Sequence, residues 1–219
     1  MDRPTLARML DHSVLKPEAT ERDVRDGAVV VRDWRVGCYC VQPSWVRVAA
    51  QALAGTDAVV ASVVGFPHGT DATGTKAHAT ATAIDDGARE IDMVLCIGAL
   101  RSGHASAVAD DIAAVVRAAP GVPVKVILET AALTDAQKRL ACRIAVDAGA
   151  AFVKTSTGFH PAGGATAADV ALMRTEVGSG VGVKASGGIR TLADARAMIE
   201  AGASRIGASA TATILSALD

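Results

Sequence analysis

The stretch DAGAAFVKT, residues 147–155, contains the junction from which this chain is built. A glycine closes a helical segment, and a short apolar run follows it directly. Glycine readily adopts the left-handed backbone conformation that ends many helices. The same order occurs in DDGAREI and EAGASRI. The pattern therefore predicts repeated passages from helix to strand.

Apolar runs of strand length recur along all 219 residues. Most are continuous rather than alternating, as expected for strands that are covered on both faces. Glycines introduce them at intervals of about 29 residues, which is the length of one strand–helix unit. The predicted strands are 11–15, 37–41, 58–64, 90–95, 122–128, 151–155, 181–185 and 204–208.

Ala-rich segments with helical spacing lie between these strands, at 104–119, 135–149 and 192–202, and Thr20 and Thr134 are suited to cap helices. Alternation of strands and helices predicts an α/β fold, and eight units predict a single (β/α)8 TIM barrel over residues 1–219. An open doubly wound sheet is the alternative. The chain has no GxGxxG after its first strand and no GxxxxGK[ST], which excludes the commonest nucleotide-binding forms of that sheet.

The composition limits the possible partners and compartments. Half of the residues are hydrophobic but 3% are aromatic, and the net charge is −1, so we expect no nucleic-acid partner. We find no apolar run of membrane-spanning length and no signal-peptide pattern at the start. The four cysteines suggest neither a zinc site nor disulfides. We therefore expect a cytoplasmic protein without a membrane partner.

Charged residues interrupt several predicted strands. A single lysine near a strand end usually extends to water, and a single aspartate usually pairs with a neighbour. Their joint occurrence is more informative, because burying unpaired charge costs several kcal/mol. The ends of barrel strands are also where catalytic residues gather. The candidates are Asp11, Asp92, Lys125, Glu129, Lys154 and Lys184.

Lys154 and Lys184 belong to successive predicted strands. Neighbouring strands lie about 4.8 Å apart, so two inward-pointing lysines disfavour each other's charge, and burial adds to this effect. The result is an amine able to lose its proton near neutral pH, as a Schiff-base nucleophile must. Asp92 would transfer protons, directly or through a water, and Lys125 would keep Asp11 or Asp92 ionised.

Two glycine-rich turns, SGGIR at 186–190 and GASAT at 207–211, predict a phosphate site. Each follows a strand and precedes a helix, and barrels often bind phosphate after strands seven and eight. Cys40 ends a strand and is expected to line the pocket. The five histidines form no metal-binding pattern, so we predict neither a metal nor a cofactor.

Several motifs together resemble the bacterial 2-deoxy-D-ribose-5-phosphate aldolase family. KTSTGF and KASGGIRT are the most specific of them, and the matching segments run in the expected order from about residue 11 to 209. They are DHSVLKPEAT, GFPHGT, EIDMVLCIGAL, VKVILETAAL, FVKTSTGF, GAT with DVALM, VKASGGIR and GASRIGAS.

The resemblance implies a metal-independent class I aldolase that cleaves a sugar phosphate, 2-deoxy-D-ribose 5-phosphate, reversibly. It implies Lys154 as the Schiff-base lysine, Lys184 as the neighbour that lowers its pKa, and Asp92 as the proton relay. It also implies a homo-oligomer, expected to be a dimer. The predicted substrate-binding residues are Asp11, Cys40, Lys125, Thr157, Gly158, Gly187, Gly188, Gly207 and Ser209.

Three positions depart from the family pattern. The stretch containing Lys76 lacks an expected glutamate, the end of the chain lacks a tyrosine, and Phe159 replaces a phosphate-binding lysine of some relatives. Two alternatives stay open. One is another phosphate-binding barrel, an isomerase or synthase without a covalent lysine. The other is an inactive barrel retained for ligand binding or assembly.

Overall fold

The computed structural model describes residues 1–218 and contains eight parallel strands that close into a barrel in chain order. The strands are β1 Leu10–Val14, β2 Cys38–Val41, β3 Val59–Val64, β4 Glu90–Val94, β5 Val124–Ile127, β6 Phe152–Lys154, β7 Gly182–Ser186 and β8 Arg205–Ala208. The barrel is closed by β1, which pairs with both β2 and β8.

Helices surround the barrel and precede or follow each strand. They are α1 Arg3–Met9, α2 Glu21–Asp33, α3 Val46–Ala52, α4 Thr73–Asp85, α5 Ile97–Arg101, α6 Ala105–Ala118, α7 Asp135–Asp147, α8 Ala167–Val177, α9 Leu192–Glu200 and α10 Thr211–Ser216, with short 3-10 turns at Pro43–Trp45 and Thr130–Ala132. Within residues 1–218, no helix combines the length and the apolar character needed to cross a bilayer.

The predicted TIM barrel is confirmed, and every predicted strand is present within two residues at either end. Thr20 and Thr134 both cap helices, and each accepts a hydrogen bond from a backbone N–H three residues later. Helix α1, which begins with Asp2 as its cap, was not predicted.

Alternation along each strand separates two environments. Ile91 and Met93 of β4 pack in the large apolar core between the barrel and its helices. Their neighbours Glu90 and Asp92 carry charged groups that pair with side chains of other strands inside the barrel. The large apolar core therefore lies between the barrel and its helices, and the inside of the barrel holds charged side chains.

A buried ion pair also lies outside the barrel, between α4 and α6. Lys76 is fully buried, and its Nζ donates to Asp111 Oδ2 at 2.6 Å and to the carbonyl of Val94 at 3.0 Å. Thr73 donates to the second oxygen of Asp111 at 2.9 Å. The pair therefore links two helices to the end of β4.

Candidate active site

Strand register places the two predicted lysines side by side. Lys154 of β6 is the partner of Lys184 on β7, and Asp92 of β4 is the partner of Lys125 on β5. All four side chains are buried. The adjacency inferred from strand order is therefore present in the barrel.

Asp92 is the centre of this group. Its Oδ2 accepts hydrogen bonds from Lys154 Nζ at 2.8 Å and from Lys184 Nζ at 2.7 Å. Its Oδ1 accepts from Lys125 Nζ at 2.6 Å. Both amines predicted to interact therefore share one carboxylate oxygen.

A second layer of charges lies towards the starts of the strands. Lys184 also donates to Asp11 Oδ2. Arg205 binds Asp11 Oδ1 at 2.7 Å and Glu90 Oε1 at 3.0 Å, and Glu90 Oε2 lies 2.6 Å from Lys125 Nζ. The two layers form one continuous network of ion pairs.

The network affects its two neighbouring lysines differently. Burial lowers the pKa of Lys154, and the charge of Lys184 lowers it further, against the opposing effect of Asp92. Burial also disfavours the charge of Lys184, but Asp11 and Asp92 outweigh it and raise the pKa of Lys184 above its usual range. Lys154 is therefore the amine that loses its proton more easily.

The carboxylates stay ionised for the complementary reason. Burial disfavours their charge, but Lys125, Lys154 and Lys184 hold the pKa of Asp92 well below its usual range. Lys184 and Lys125, opposing the same burial, hold the pKa of Asp11 low. Lys125 thus has the charge-stabilising contacts expected from the sequence.

A cavity of about 780 Å³ opens above this network at the carboxyl ends of the strands. Lys154 and Lys184 reach it. So do most of the other predicted site residues, namely Asp11, Cys40, Thr157, Gly158, Gly187, Gly188, Gly207 and Ser209. Asp92 and Lys125 lie beneath the lining. Lys125 is fully buried against its carboxylates, so we assign it no contact with a ligand in the cavity.

Local contacts fix the ends of β6 and β7. Ser186 Oγ donates to the carbonyl of Ser156 at 2.6 Å, and Thr155 Oγ1 donates to the carbonyl of Ser186 at 3.1 Å. A side chain at Gly207 would bring its Cβ within 3.2 Å of Lys184 Cε. The small residues therefore leave room for the lysine stem.

Glu129 was another candidate from the sequence, and it makes its hydrogen bonds to the loop that follows Lys154 rather than to a lysine. It has a left-handed backbone conformation, with φ of 57°, and accepts hydrogen bonds from the main-chain N–H and the hydroxyl of Thr157, the latter at 2.5 Å. Thr157 lines the cavity, so this carboxylate orients one of its walls.

Several residues at the site were not identified from the sequence, among them Glu90, Arg205 and His12. Glu90 and Arg205 stand at strand starts, where a charge is ordinarily exposed, and their pairing spans 115 residues. His12 lines the cavity, bonds to the Thr211 hydroxyl at 2.9 Å and stacks on Tyr39. Burial lowers the pKa of His12 to about 4. Its position beside Asp11 was the one available signal.

Potential metal ligands occur in the lower layer, where atoms of Asp11, Cys38 and Glu90 lie within 4.8 Å of one another. Lys125 and Arg205 already contact the two carboxylates. These cations supply the positive charge that a metal would otherwise provide.

Comparison with known proteins identifies the family. The model of the DeoC/LacD family of aldolases matches residues 4–216. The deoxyribose-phosphate aldolase of Bacillus mycoides is 52% identical over 211 residues, covering 96% of this chain and 94% of that protein.

Solved structures agree with this result. A Coccidioides immitis protein superposes with a TM-score of 0.96 at 38% identity, covering 99% of this chain and 87% of the other. The deoxyribose phosphate aldolase of Aeropyrum pernix, described as tetrameric, gives 0.91 at 33% identity, covering 98% and 91%.

Proposed function

Because the chain belongs to the DeoC/LacD family of aldolases, we propose that it cleaves 2-deoxy-D-ribose 5-phosphate reversibly into D-glyceraldehyde 3-phosphate and acetaldehyde. The proposed catalyst is the Lys154 amine, without a metal. The observation that carries this proposal is the single Asp92 oxygen shared by Lys154 and Lys184. The arrangement supports one amine that is easily deprotonated beside one that stays charged.

The first half of the reaction uses Lys154 as a nucleophile. Its neutral Nζ attacks C1 of the open-chain sugar, and loss of water gives an iminium ion. The hydroxyl on C3 then gives its proton to Asp92 through a water, and the C2–C3 bond breaks. The bonding electrons move into an enamine on Lys154, and glyceraldehyde 3-phosphate leaves.

The second half returns the enzyme to its starting state. A proton reaches C2 of the enamine through Asp92 and a water, and hydrolysis of the resulting iminium releases acetaldehyde and neutral Lys154. Asp92 contacts both amines. Since its pKa is low, it is ionised in the resting site and is free of a proton when the reaction begins. Lys184, whose pKa is high, is an ammonium at the cavity wall.

The cavity is proposed to hold the sugar phosphate with its reacting end over the lysines. Gly187 and Gly188 have φ of 87° and 82°, and such glycine turns commonly present backbone N–H groups to anions. Gly158, Gly207 and Ser209 line the same cavity. We propose that these groups bind the phosphate, and that Asp11, Cys40 and Thr157 adjoin the sugar.

Trapping of the covalent intermediate tests this function. The protein is incubated with deoxyribose 5-phosphate and sodium borohydride, digested and analysed by mass spectrometry, while turnover is measured in parallel. We expect turnover and a reduced adduct on Lys154. Turnover without any lysine adduct would instead favour the isomerase or synthase alternative, and absence of turnover on any phosphorylated sugar would favour the inactive barrel.

A cytoplasmic location, one domain over the whole chain and a homodimer stay predictions. The tetramer described for the Aeropyrum pernix relative makes the oligomeric state a useful measurement in its own right. Light scattering of the purified protein would distinguish a dimer from a tetramer.

A further inference from the structure

Ion pairs join seven charged side chains into one cluster inside the barrel. Three are carboxylates and four are cations. With all seven ionised, the cluster would carry a net charge of one positive unit. Its members are Asp11, Glu90, Asp92, Lys125, Lys154, Lys184 and Arg205.

The contacts show which cation is in excess. Lys184 contacts Asp11 and Asp92. Lys125 contacts Asp92 and Glu90 and lies 3.7 Å from Asp11. Arg205 contacts Asp11 and Glu90 as well. Each of these three cations therefore has at least two carboxylates.

Lys154 differs from the other three cations. Its ion pair is with Asp92 Oδ2, the oxygen that Lys184 also contacts. Three cations thus neutralise three carboxylates, and Lys154 has no carboxylate of its own.

We propose that Arg205 and Glu90 are positioning residues that set how much negative charge remains for Lys154. This inference rests on the proposed role of Lys154 as the reacting amine. Neither residue is part of the cavity wall, so neither contacts the substrate in this account. Both begin strands, β8 and β4, at the end of the barrel opposite the cavity.

Geometry gives each residue a defined task. Arg205, stacked 5.6 Å above the Phe152 ring, occupies Asp11 Oδ1 and leaves Oδ2 to Lys184. Glu90 contacts Lys125 at 2.6 Å, the same distance as Asp92 does. Glu90 therefore competes with Asp92 for the charge of Lys125.

The cysteine and histidine side chains nearest the cluster add no charge near neutral pH. Burial raises the pKa of the Cys40 thiol to about 11 and that of Cys38 well above its usual value. The pKa of His12, whose ring faces Thr211 and Tyr39, is about 4. Glu129 accepts a hydrogen bond from Thr157 and is not a member of the network of ion pairs. The balance within that network is therefore set by the seven paired charges.

The two residues should move the acid limb of the pH profile in opposite directions. Glu90→Gln removes a carboxylate, so the Lys154 pKa falls and activity begins at lower pH. Arg205→Met removes a cation, so that pKa rises and activity begins at higher pH. Each shift is expected to be about one pH unit, because charges near a buried group change its pKa by that order.

The experiment measures kcat/KM for deoxyribose 5-phosphate against pH in both variants, in the double variant and in Arg205→Lys. The double variant loses one charge of each sign, so its acid limb should lie close to that of the wild type. Arg205→Lys keeps the positive charge and should leave the acid limb at the wild-type pH. Lys76→Met is the matched control, since it breaks a buried lysine–aspartate pair outside the barrel. It should lower the melting temperature without moving the limb.

The results separate this inference from the proposed function. An unmoved limb in Glu90→Gln, or an upward shift, overturns the inference even if Arg205→Met fails to fold. In that case, a borohydride adduct on Lys154 of the wild-type protein would still support the proposed function. A wild type without the adduct removes the proposed function itself, and with it this inference.

Discussion

Among residues 1–218, buried lysine–aspartate contacts lie inside the barrel and between helices α4 and α6. Outside, Asp111 pairs with Lys76 and with no second cation of the described residues, and Lys76 also donates to a backbone carbonyl. Inside, Lys154 shares one oxygen of Asp92 with Lys184. Burial is complete for Lys76 and nearly complete for Lys154, which is 3% exposed.

The difference shows that burial by itself does not mark a reactive lysine. A buried amine with its own carboxylate serves as a structural link, and its loss leaves an uncompensated charge. A buried amine that competes for a carboxylate is easier to deprotonate. The number of carboxylates available to each amine is therefore the more informative quantity.

The largest expected effect is on activity, from Lys154→Leu. Turnover should fall by roughly 10⁴-fold or more, since the covalent route needs this amine. Stability should change little, because the remaining six charges in the cluster neutralise one another. Steady-state turnover and thermal unfolding check both points. Substantial residual cleavage would show that another group reacts.

Asp92→Asn should slow turnover by about 10²–10⁴-fold, the usual range for loss of proton-transfer catalysis. It also removes the carboxylate that three lysines share. Solvent deuterium exchange into acetaldehyde measures the proton step directly. Exchange at the wild-type rate would place the relay elsewhere.

Lys76→Met should lower stability and preserve activity, which is the opposite of the result expected for Lys154→Leu. It leaves Asp111 buried without its cation, which costs about 3–5 kcal/mol of unfolding free energy. Urea unfolding measures this loss, and the pH dependence of activity should be preserved. A variant as stable as the wild type would contradict the structural role that the comparison assigns to Lys76.

Lys184→Leu should raise the pH at which activity appears. The charge of Lys184 lowers the pKa of Lys154, so its removal raises that pKa, by about one to three pH units for a charge this close. Neutral amine then accumulates only at higher pH. The acid limb of kcat/KM measures the shift, and an unmoved limb would contradict the coupling between the amines.

His12 adds a third kind of buried group, which is held by a hydroxyl instead of a carboxylate. Its folded pKa of about 4 lies below the usual 6.5, so between those values the unfolded chain binds the extra proton. Stability should fall by about 3 kcal/mol as pH drops through that window. In His12→Gln this dependence should flatten, as urea unfolding at several pH values would show. An unchanged dependence would assign it to other groups.

The sequence predicted what depends on local pattern. Helix-ending glycines, continuous apolar runs and threonine caps located all the strands, and strand order placed Lys154 next to Lys184. The contacts of Lys125 with Asp92 and Asp11 were also expected, whereas the proton relay by Asp92 stays a prediction.

Contacts across the barrel were not predictable in this way. Arg205 and Asp11 are 194 residues apart and meet because β8 pairs with β1. Asp111 lies 35 residues after Lys76, on another helix. Such pairs depend on barrel closure and helix packing, which no local spacing records. The departure noted near Lys76 therefore gave no sign of a buried ion pair.

Direct titration of the two barrel amines tests the central claim most closely. Lysine side-chain nitrogens labelled with ¹⁵N would be followed by NMR against pH, and Lys154→Leu and Lys184→Leu would assign the signals. We predict that Lys154 Nζ loses its proton below the ordinary lysine range while Lys184 stays protonated above it. A Lys154 signal that stays protonated as long as that of Lys184 would contradict the account.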